Sequence, residues 1–211
     1  MSMTLYVGSK RYSSWSLRPY LALAHTGAPH ETKTIILDQP TTKAEILAVS
    51  PTGRVPVLHH NGLVLWDSLA ICEYLNEQFP EAQLWPADGV QRARARSISA
   101  EMHSGFAALR RDMSMDILAS KPGKGHTPEA LADARRVQTI WREALAESKG
   151  PFLFGAFSIA DAMFAPVTTR FITYGVDLDA TLRAYVDAVQ SLPAFLEWKR
   201  DAQGEPELPN H

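Results

Sequence analysis

The residues with chemistry to offer gather around Ser50-Pro51-Thr52-Gly53-Arg54-Val55-Pro56-Val57-Leu58, followed closely by Trp66-Asp67-Ser68. Proline cannot donate to a sheet ladder, so Pro56 is expected at the first residue of a strand or just outside it. The Val55–Pro56 bond is a candidate for the cis isomer, which costs far less before proline than elsewhere. If the chain bends there, the backbone N–H and C=O of Val55 face outward at a sheet edge. An extended peptide can pair with such groups as a short added strand. Asp67 and Ser68 then start a helix over 69–79. Its free backbone N–H groups, with the serine hydroxyl beside them, favour a carboxylate. A backbone ladder next to a carboxylate pocket makes a site for a small peptide.

The elements that must hold these groups follow from pattern. Thr4-Leu5-Tyr6-Val7 is a β-prone run ended by Gly8. Ser13 or Ser14 can cap a helix over 15–26, with Pro19 in its first turn and Gly27 at its end. A second strand is expected over 32–37, a short helix over 41–49, and a hairpin around Asn61-Gly62 joining 57–60 to 63–65. The order to residue 79 is therefore β-α-β-α-β-β-α. A proline-rich break over 80–89 separates it from a region without strands. That region carries a long helix over 90–119, another over 129–148, and a helix opened by the capping box Ser158-Ile159-Ala160-Asp161. Two shorter helices follow, over 180–190 and 194–202.

Composition narrows the class. With 211 residues, 45% of them hydrophobic, the chain can bury a sizeable core. A net charge of -2 gives no reason to expect nucleic acid or an anionic membrane as partner. The single cysteine, Cys72, excludes an internal disulfide framework and sits among apolar helical neighbours as an inert thiol. His59 and His60 point to opposite faces of one strand, and no other histidine spacing suggests a metal. No secretory signal and no apolar run of spanning length is evident, so a soluble cytoplasmic protein is expected.

Four motifs in this order carry a resemblance that covers nearly the whole chain: Ser13-Ser14-Trp15-Ser16-Leu17-Arg18, Ser50-Pro51-x-Gly53-x-Val55-Pro56-x-Leu58, Asp67-Ser68-Leu69-Ala70-Ile71 and Phe157-Ser158-Ile159-Ala160-Asp161. Together they resemble the glutathione transferases of serine type, zeta- or theta-like. The resemblance implies an α/β thioredoxin-like N-terminal domain over 1–79, a linker over 80–89, and an all-α C-terminal domain over 90–211. It implies that the cysteinyl backbone of glutathione pairs with Val55 ahead of Pro56, and that the γ-glutamyl group sits on Asp67 and Ser68. Asp67 then faces the ammonium and Ser68 the carboxylate, which is charge-complementary in its own right. Arg54 is the first cation for the glycine carboxylate and Lys43 the second.

The serine-type members place a catalytic serine before the first helix, here Ser13 with Ser14 beside it. From the residues alone these two read as an N-cap; the resemblance gives them a hydrogen bond to the glutathione thiolate. A free thiol titrates near ~8.5, and lowering that by about 2 units takes roughly 2.7 kcal/mol. Met102, Phe106, Arg110 and Met113 recur at helical spacing and line the expected second-substrate pocket, though such a stripe is also what a plain core looks like. The implied function is a glutathione transferase with glutathione as co-substrate and no metal, attacking small electrophiles and reducing peroxides, as a cytoplasmic homodimer. A glutathione-dependent isomerase of the maleylacetoacetate type is one alternative. It is disfavoured because a zeta enzyme has cysteine where this chain has Trp15. A non-catalytic interaction module on the same fold is the other.

Overall fold

The computed structural model describes residues 3–208. A four-stranded mixed sheet has the order β2-β1-β3-β4, with β1 Met3–Gly8, β2 His30–Ile35, β3 Val57–His60 and β4 Leu63–Trp66. β1 runs parallel to β2 and antiparallel to β3, and β4 closes the edge as an antiparallel hairpin with β3. The helices of this half are α1 Ser14–His25, α2 Thr42–Val49 and α3 Ser68–Gln78. After a short turn at Pro80–Ala82 the rest is helical: α4 Gly89–Ser104, α5 Ala107–Asp112, α6 Pro128–Glu147, α7 Ile159–Tyr174, α8 Ala180–Gln190 and α9 Pro193–Ala202. This is the α/β thioredoxin-like domain followed by an all-α domain. Among the described residues no helix is long and apolar enough to cross a membrane.

Helix α7 joins the two halves. Nearly every residue from Ile159 to Tyr174 is buried, and an element apolar all round belongs in the middle of a core. It packs against α1 on one side and α4 and α8 on the others. Arg18 of α1 donates through Nε to the carbonyl of Met163 at 3.0 Å, and the Ile159 N–H reaches the Leu84 carbonyl at 2.8 Å. The loop before α1 is tied to the far end of the chain. Glu205 accepts the N–H groups of Lys10 and Arg11 at 2.8 and 3.1 Å, and Trp198 Nε1 donates to the Lys10 carbonyl at 2.7 Å. The segment carrying Ser13 is thus held by both domains.

Three element boundaries differ from expectation. The second strand runs His30–Ile35, starting where His30 pairs with Met3 and ending before Leu37, whose N–H donates to Ser9 Oγ at 2.9 Å instead. Its apolar tail Ile35-Ile36-Leu37 mimicked a strand centre. Pro19 lies inside α1 and not in its first turn, since the helix already starts at Ser14; this removes the helical donor to the Trp15 carbonyl. The long helix expected over 90–119 is broken after Ser104. Gly105 is extended, a Cβ there would lie 2.8 Å from the Glu101 carbonyl oxygen, and Phe106 takes a left-handed conformation at φ 62°. Helix α5 is therefore a separate, short element, and 113–127 is irregular.

Candidate functional site

The site starts from the β3–β4 hairpin. Val55–Pro56 is cis, and Pro56 stands just ahead of β3, outside its ladder, where a residue without an N–H belongs. The first residue of β3, Val57, pairs with Tyr6 and Trp66, so the backbone of Val55 precedes the sheet with no partner among the described residues. Asn61 and Gly62 both take positive φ, 52° and 81°, as a two-residue hairpin turn requires. The chain returns along β4 and brings Trp66 and Asp67 back beside Val55.

Asp67 is held in an unusual way. Its φ is 73° with ψ 130°, a backbone conformation that costs a non-glycine residue about 1–3 kcal/mol and clusters at functional sites. Its Oδ1 accepts the N–H groups of Leu69 and Ala70 at 2.9 and 3.1 Å, capping α3. Its Oδ2 lies 3.0 Å from His103 Nε2, which reaches across from α4. Ser68, the first residue of α3, is 2% exposed, and its Oγ has no partner. A buried hydroxyl left unmatched costs about 1–3 kcal/mol, unless a ligand completes it.

These groups enclose a cleft of about 590 Å³ lined by Trp15, Thr52, Arg54, Val55, Pro56, Trp66, Asp67, Ser68 and His103. It offers one exposed cation, one carboxylate, an orphaned hydroxyl at a helix N-terminus and an unpaired stretch of backbone. That set matches a short peptide carrying carboxylates and an ammonium. Trp15 forms one wall, with His103 edge-on to its ring at 5.3 Å.

Residues 12–78 match the family model for the glutathione S-transferase N-terminal domain, and residues 92–198 match that for the glutathione S-transferase C-terminal domain. The chain belongs to the glutathione S-transferase family. It is similar to a probable maleylacetoacetate isomerase of Caenorhabditis elegans, 29% identical over 194 residues that cover 90% of this chain and 91% of that protein. It is also similar to a stringent starvation protein A homolog of Haemophilus ducreyi, 26% identical over 191 residues, covering 89% of this chain and 86% of that one. Among solved structures, a glutathione transferase homolog from Burkholderia gl BGR1 with bound glutathione superposes with a TM-score of 0.75 at 25% identity, covering 98% of this chain and 100% of that one. Within this family member the N-terminal match holds every cleft residue except His103, which the C-terminal match supplies.

The other expected site residues lie as follows. Ser13 and Ser14 are both buried at the start of α1 and do not line the cleft. Ser13 stands at the N-cap position, but its hydroxyl donates to Ser16 Oγ at 2.7 Å and caps no backbone group. Ser14 Oγ accepts from Arg170 Nη2 at 3.3 Å. Arg54 is exposed on the cleft wall, whereas Lys43 is exposed on α2 and outside it. Met102, Phe106 and Met113 are buried members of the hydrophobic core, and with Arg110 they fall on separate pieces of the broken helix. Arg110 alone of the four turns toward the site, its guanidinium 4.5 Å from the centre of the Trp15 ring. Cys72 is fully buried and burial pushes its thiol up, so it stays protonated. His59 and His60 bond to the Val49 carbonyl and the Tyr74 hydroxyl respectively.

Two residues escaped the sequence reading. His103 gave no signal, because its partner Asp67 lies in the other domain and no local spacing joins them. Arg170 did give one: it is the single basic residue of the otherwise apolar or neutral run from Ala162 to Tyr174. A lone charge in a helix that is buried all round needs a reason.

Proposed function

We propose that this transferase binds glutathione in the cleft and presents its thiolate to a small electrophile, by conjugation at carbon or by reduction of a hydroperoxide. The orphaned Ser68 hydroxyl at the N-terminus of α3, beside the strained Asp67, is the observation that carries this reading. The Val55 backbone pairs with the cysteinyl residue. Asp67 takes the γ-glutamyl ammonium, while Ser68 takes its carboxylate through its hydroxyl and its own N–H. Arg54, with Lys43 in reserve, takes the glycine carboxylate. The serine pair 13–14 supplies a hydroxyl to the sulfur. Residues 1–79 form the glutathione-binding unit, 80–89 the link, and 90–211 the unit that bounds the second-substrate space beside Trp15 and Arg110. Met102, Phe106 and Met113 shape that wall from behind. The working form is a cytoplasmic homodimer.

The isomerase reading has one observation in its favour, the name of the Caenorhabditis elegans relative, and Trp15 against it. A non-catalytic interaction module on the same fold has no need of the full set Val55, Pro56, Asp67 and Ser68. Titration calorimetry with glutathione tests the proposal. The wild-type protein is expected to bind, and Asp67→Ala to bind about 10- to 100-fold more weakly through loss of a charge-assisted hydrogen bond. A wild-type protein that takes up no glutathione overturns the reading. A panel of halo-aromatics, hydroperoxides, isothiocyanates and maleylacetoacetate analogues then separates conjugation from isomerisation.

A further inference from the structure

His103 is the cleft residue that comes from the C-terminal half, and it spends its polar contact on a residue of the other half. It stands in the last turn of α4, just before the helix ends at Ser104. Its Nε2 lies 3.0 Å from Asp67 Oδ2. An ionised carboxylate only accepts, so that nitrogen carries a proton and donates. The other ring nitrogen, Nδ1, is buried and has no partner. A histidine fixed for a task is commonly oriented by a hydrogen bond at its second nitrogen. Here that bond is missing, so the polar anchor of the ring is Asp67, with an edge contact to Trp15 beside it. Both side chains of the pair are partly exposed, and separating such a pair shifts an equilibrium by about 5-fold at most.

The pair changes what the cleft is free to bind. Asp67 Oδ1 is taken by the Leu69 and Ala70 N–H groups and Oδ2 by His103, so the one carboxylate lining the cleft is already matched. The groups left open are of the other kind: the Ser68 hydroxyl without a partner, and Arg54 exposed on the wall. Both ask for a carboxylate, and neither asks for an ammonium. A ligand carrying an ammonium must displace His103 from Asp67 Oδ2; a ligand without one leaves the pair intact. We propose that His103 is a specificity-determining residue of this cleft. It stands in for the ligand's ammonium at Asp67, so that acidic thiol peptides lacking the ammonium bind nearly as well as glutathione. The proposal rests on the glutathione reading above, and concerns the γ-glutamyl end of the ligand, not its sulfur.

Without His103, an amine-free ligand would bring its carboxylate to Ser68 beside an unmatched Oδ2 of Asp67, and like charges repel. With His103 in place that oxygen is satisfied, and Ser68 faces only the incoming carboxylate. The wall that His103 touches is positive as well. The guanidiniums of Arg18 and Arg110 lie 4.4 and 4.5 Å from the centre of the Trp15 ring, and Arg18 Nη1 donates to the Ser14 carbonyl at 3.1 Å. Specificity is a difference between two affinities. Glutathione gains the Asp67 contact but must first separate the pair, whereas an amine-free ligand forgoes the contact and separates nothing. The two costs offset each other.

The test compares glutathione with glutaryl-cysteinylglycine, the same tripeptide with hydrogen in place of the α-ammonium, by calorimetry on the whole protein at one pH. The wild-type protein is expected to bind the glutaryl compound less than about 10-fold more weakly than glutathione, although a charge-assisted hydrogen bond is at stake. His103→Leu removes the stand-in. It is expected to bind glutathione about 2- to 5-fold more tightly and the glutaryl compound about 2- to 5-fold more weakly, the size of a partly exposed pair. His103→Gln keeps a donor for Asp67, and is expected to fall between His103→Leu and wild type for both ligands. A purely structural histidine would move both ligands in the same direction, so the opposed signs are the readout. Shifts of the same sign, a loss of glutathione affinity in His103→Leu, or a wild-type protein that disfavours the glutaryl compound by more than about 10-fold overturn the inference and leave the glutathione reading standing. A wild-type protein that does not bind glutathione overturns both.

Discussion

Asp161 and Asp67 each stand at the N-terminus of a helix, one in each domain, and each accepts backbone N–H groups there. Asp161 is fully buried and both of its oxygens are engaged inside the protein. Its Oδ1 accepts the Leu153 N–H at 3.0 Å, and its Oδ2 accepts the Ser158 N–H at 2.9 Å and the Ser158 hydroxyl at 3.0 Å. Asp67 has a side chain 43% exposed, a strained backbone, and an orphaned hydroxyl next door in Ser68. The same capping chemistry serves folding where it is closed, and stands ready for a ligand where it is open.

The largest expected effect breaks the closed cap. Asp161→Ala leaves three donors in the core without an acceptor, at about 1–3 kcal/mol each. A loss of about 3 kcal/mol or more is expected, read from the denaturant midpoint. A loss below about 1 kcal/mol would show that Asp161 is not the fold's keystone in this region.

Acid and base sharpen the comparison next. Burial raises the Asp161 carboxyl to about 6 despite its three donors. An unfolded aspartate titrates near ~3.9, so between these values the folded state binds more protons than the unfolded one. Stability therefore falls as pH rises from about 4 to about 6, by up to roughly 3 kcal/mol. Asp116 has the opposite sign. Burial raises it, but the hydrogen bond and charge of Arg11, the Leu118 N–H and the charge of Lys121 together outweigh that and hold its carboxyl below the ordinary value, so its contribution is lost as pH falls below about 4. Chemical denaturation across this range should show a maximum, and Asp161→Asn should flatten only the upper flank. An unchanged upper flank in Asp161→Asn would assign that slope to another group.

Much of this was legible in the sequence because the signals are local. The hairpin at Asn61-Gly62, the Ser158/Asp161 cap and the proline ahead of β3 each lie within a few residues of what they control. The cleft wall from Arg54 to Ser68 was legible for the same reason, being one hairpin and one helix start. What was not legible is whatever spans the two domains. The contact of His103 with Asp67, and the meeting of Arg18, Arg110 and Arg170 at Ser14-Trp15, depend on how α4, α5 and α7 pack onto α1. The break at Gly105-Phe106 was missed because helical periodicity continues on both sides of it. That break takes Arg110 off the axis of α4 and onto α5, beside Trp15.

A smaller effect is expected at the open cap when only its charge is removed. Asparagine tolerates positive φ better than most residues and keeps an acceptor for Leu69 and Ala70, so Asp67→Asn should cost about 0.5 kcal/mol of stability or less. Glutathione affinity should still fall by about 10-fold, the value of turning a charge-assisted bond into a neutral one. Affinity and stability falling together would mean that Asp67 is a structural cap like Asp161, and the contrast between the two would disappear.

The smallest expected effect concerns His103. Its pair with Asp67 is partly exposed, with side chains 28% and 43% accessible, and pairs of this kind contribute about 0–1 kcal/mol. His103→Gln should therefore leave stability within about 1 kcal/mol of wild type. The histidine and the γ-glutamyl ammonium of the proposed ligand claim the same oxygen, Asp67 Oδ2. If His103 is a competitor, His103→Gln binds glutathione as tightly as wild type or a few-fold more tightly. A loss of affinity on calorimetry would instead make His103 a contact of the ligand, and would mean that the C-terminal domain helps to hold the tripeptide as well as to bound the space beside it.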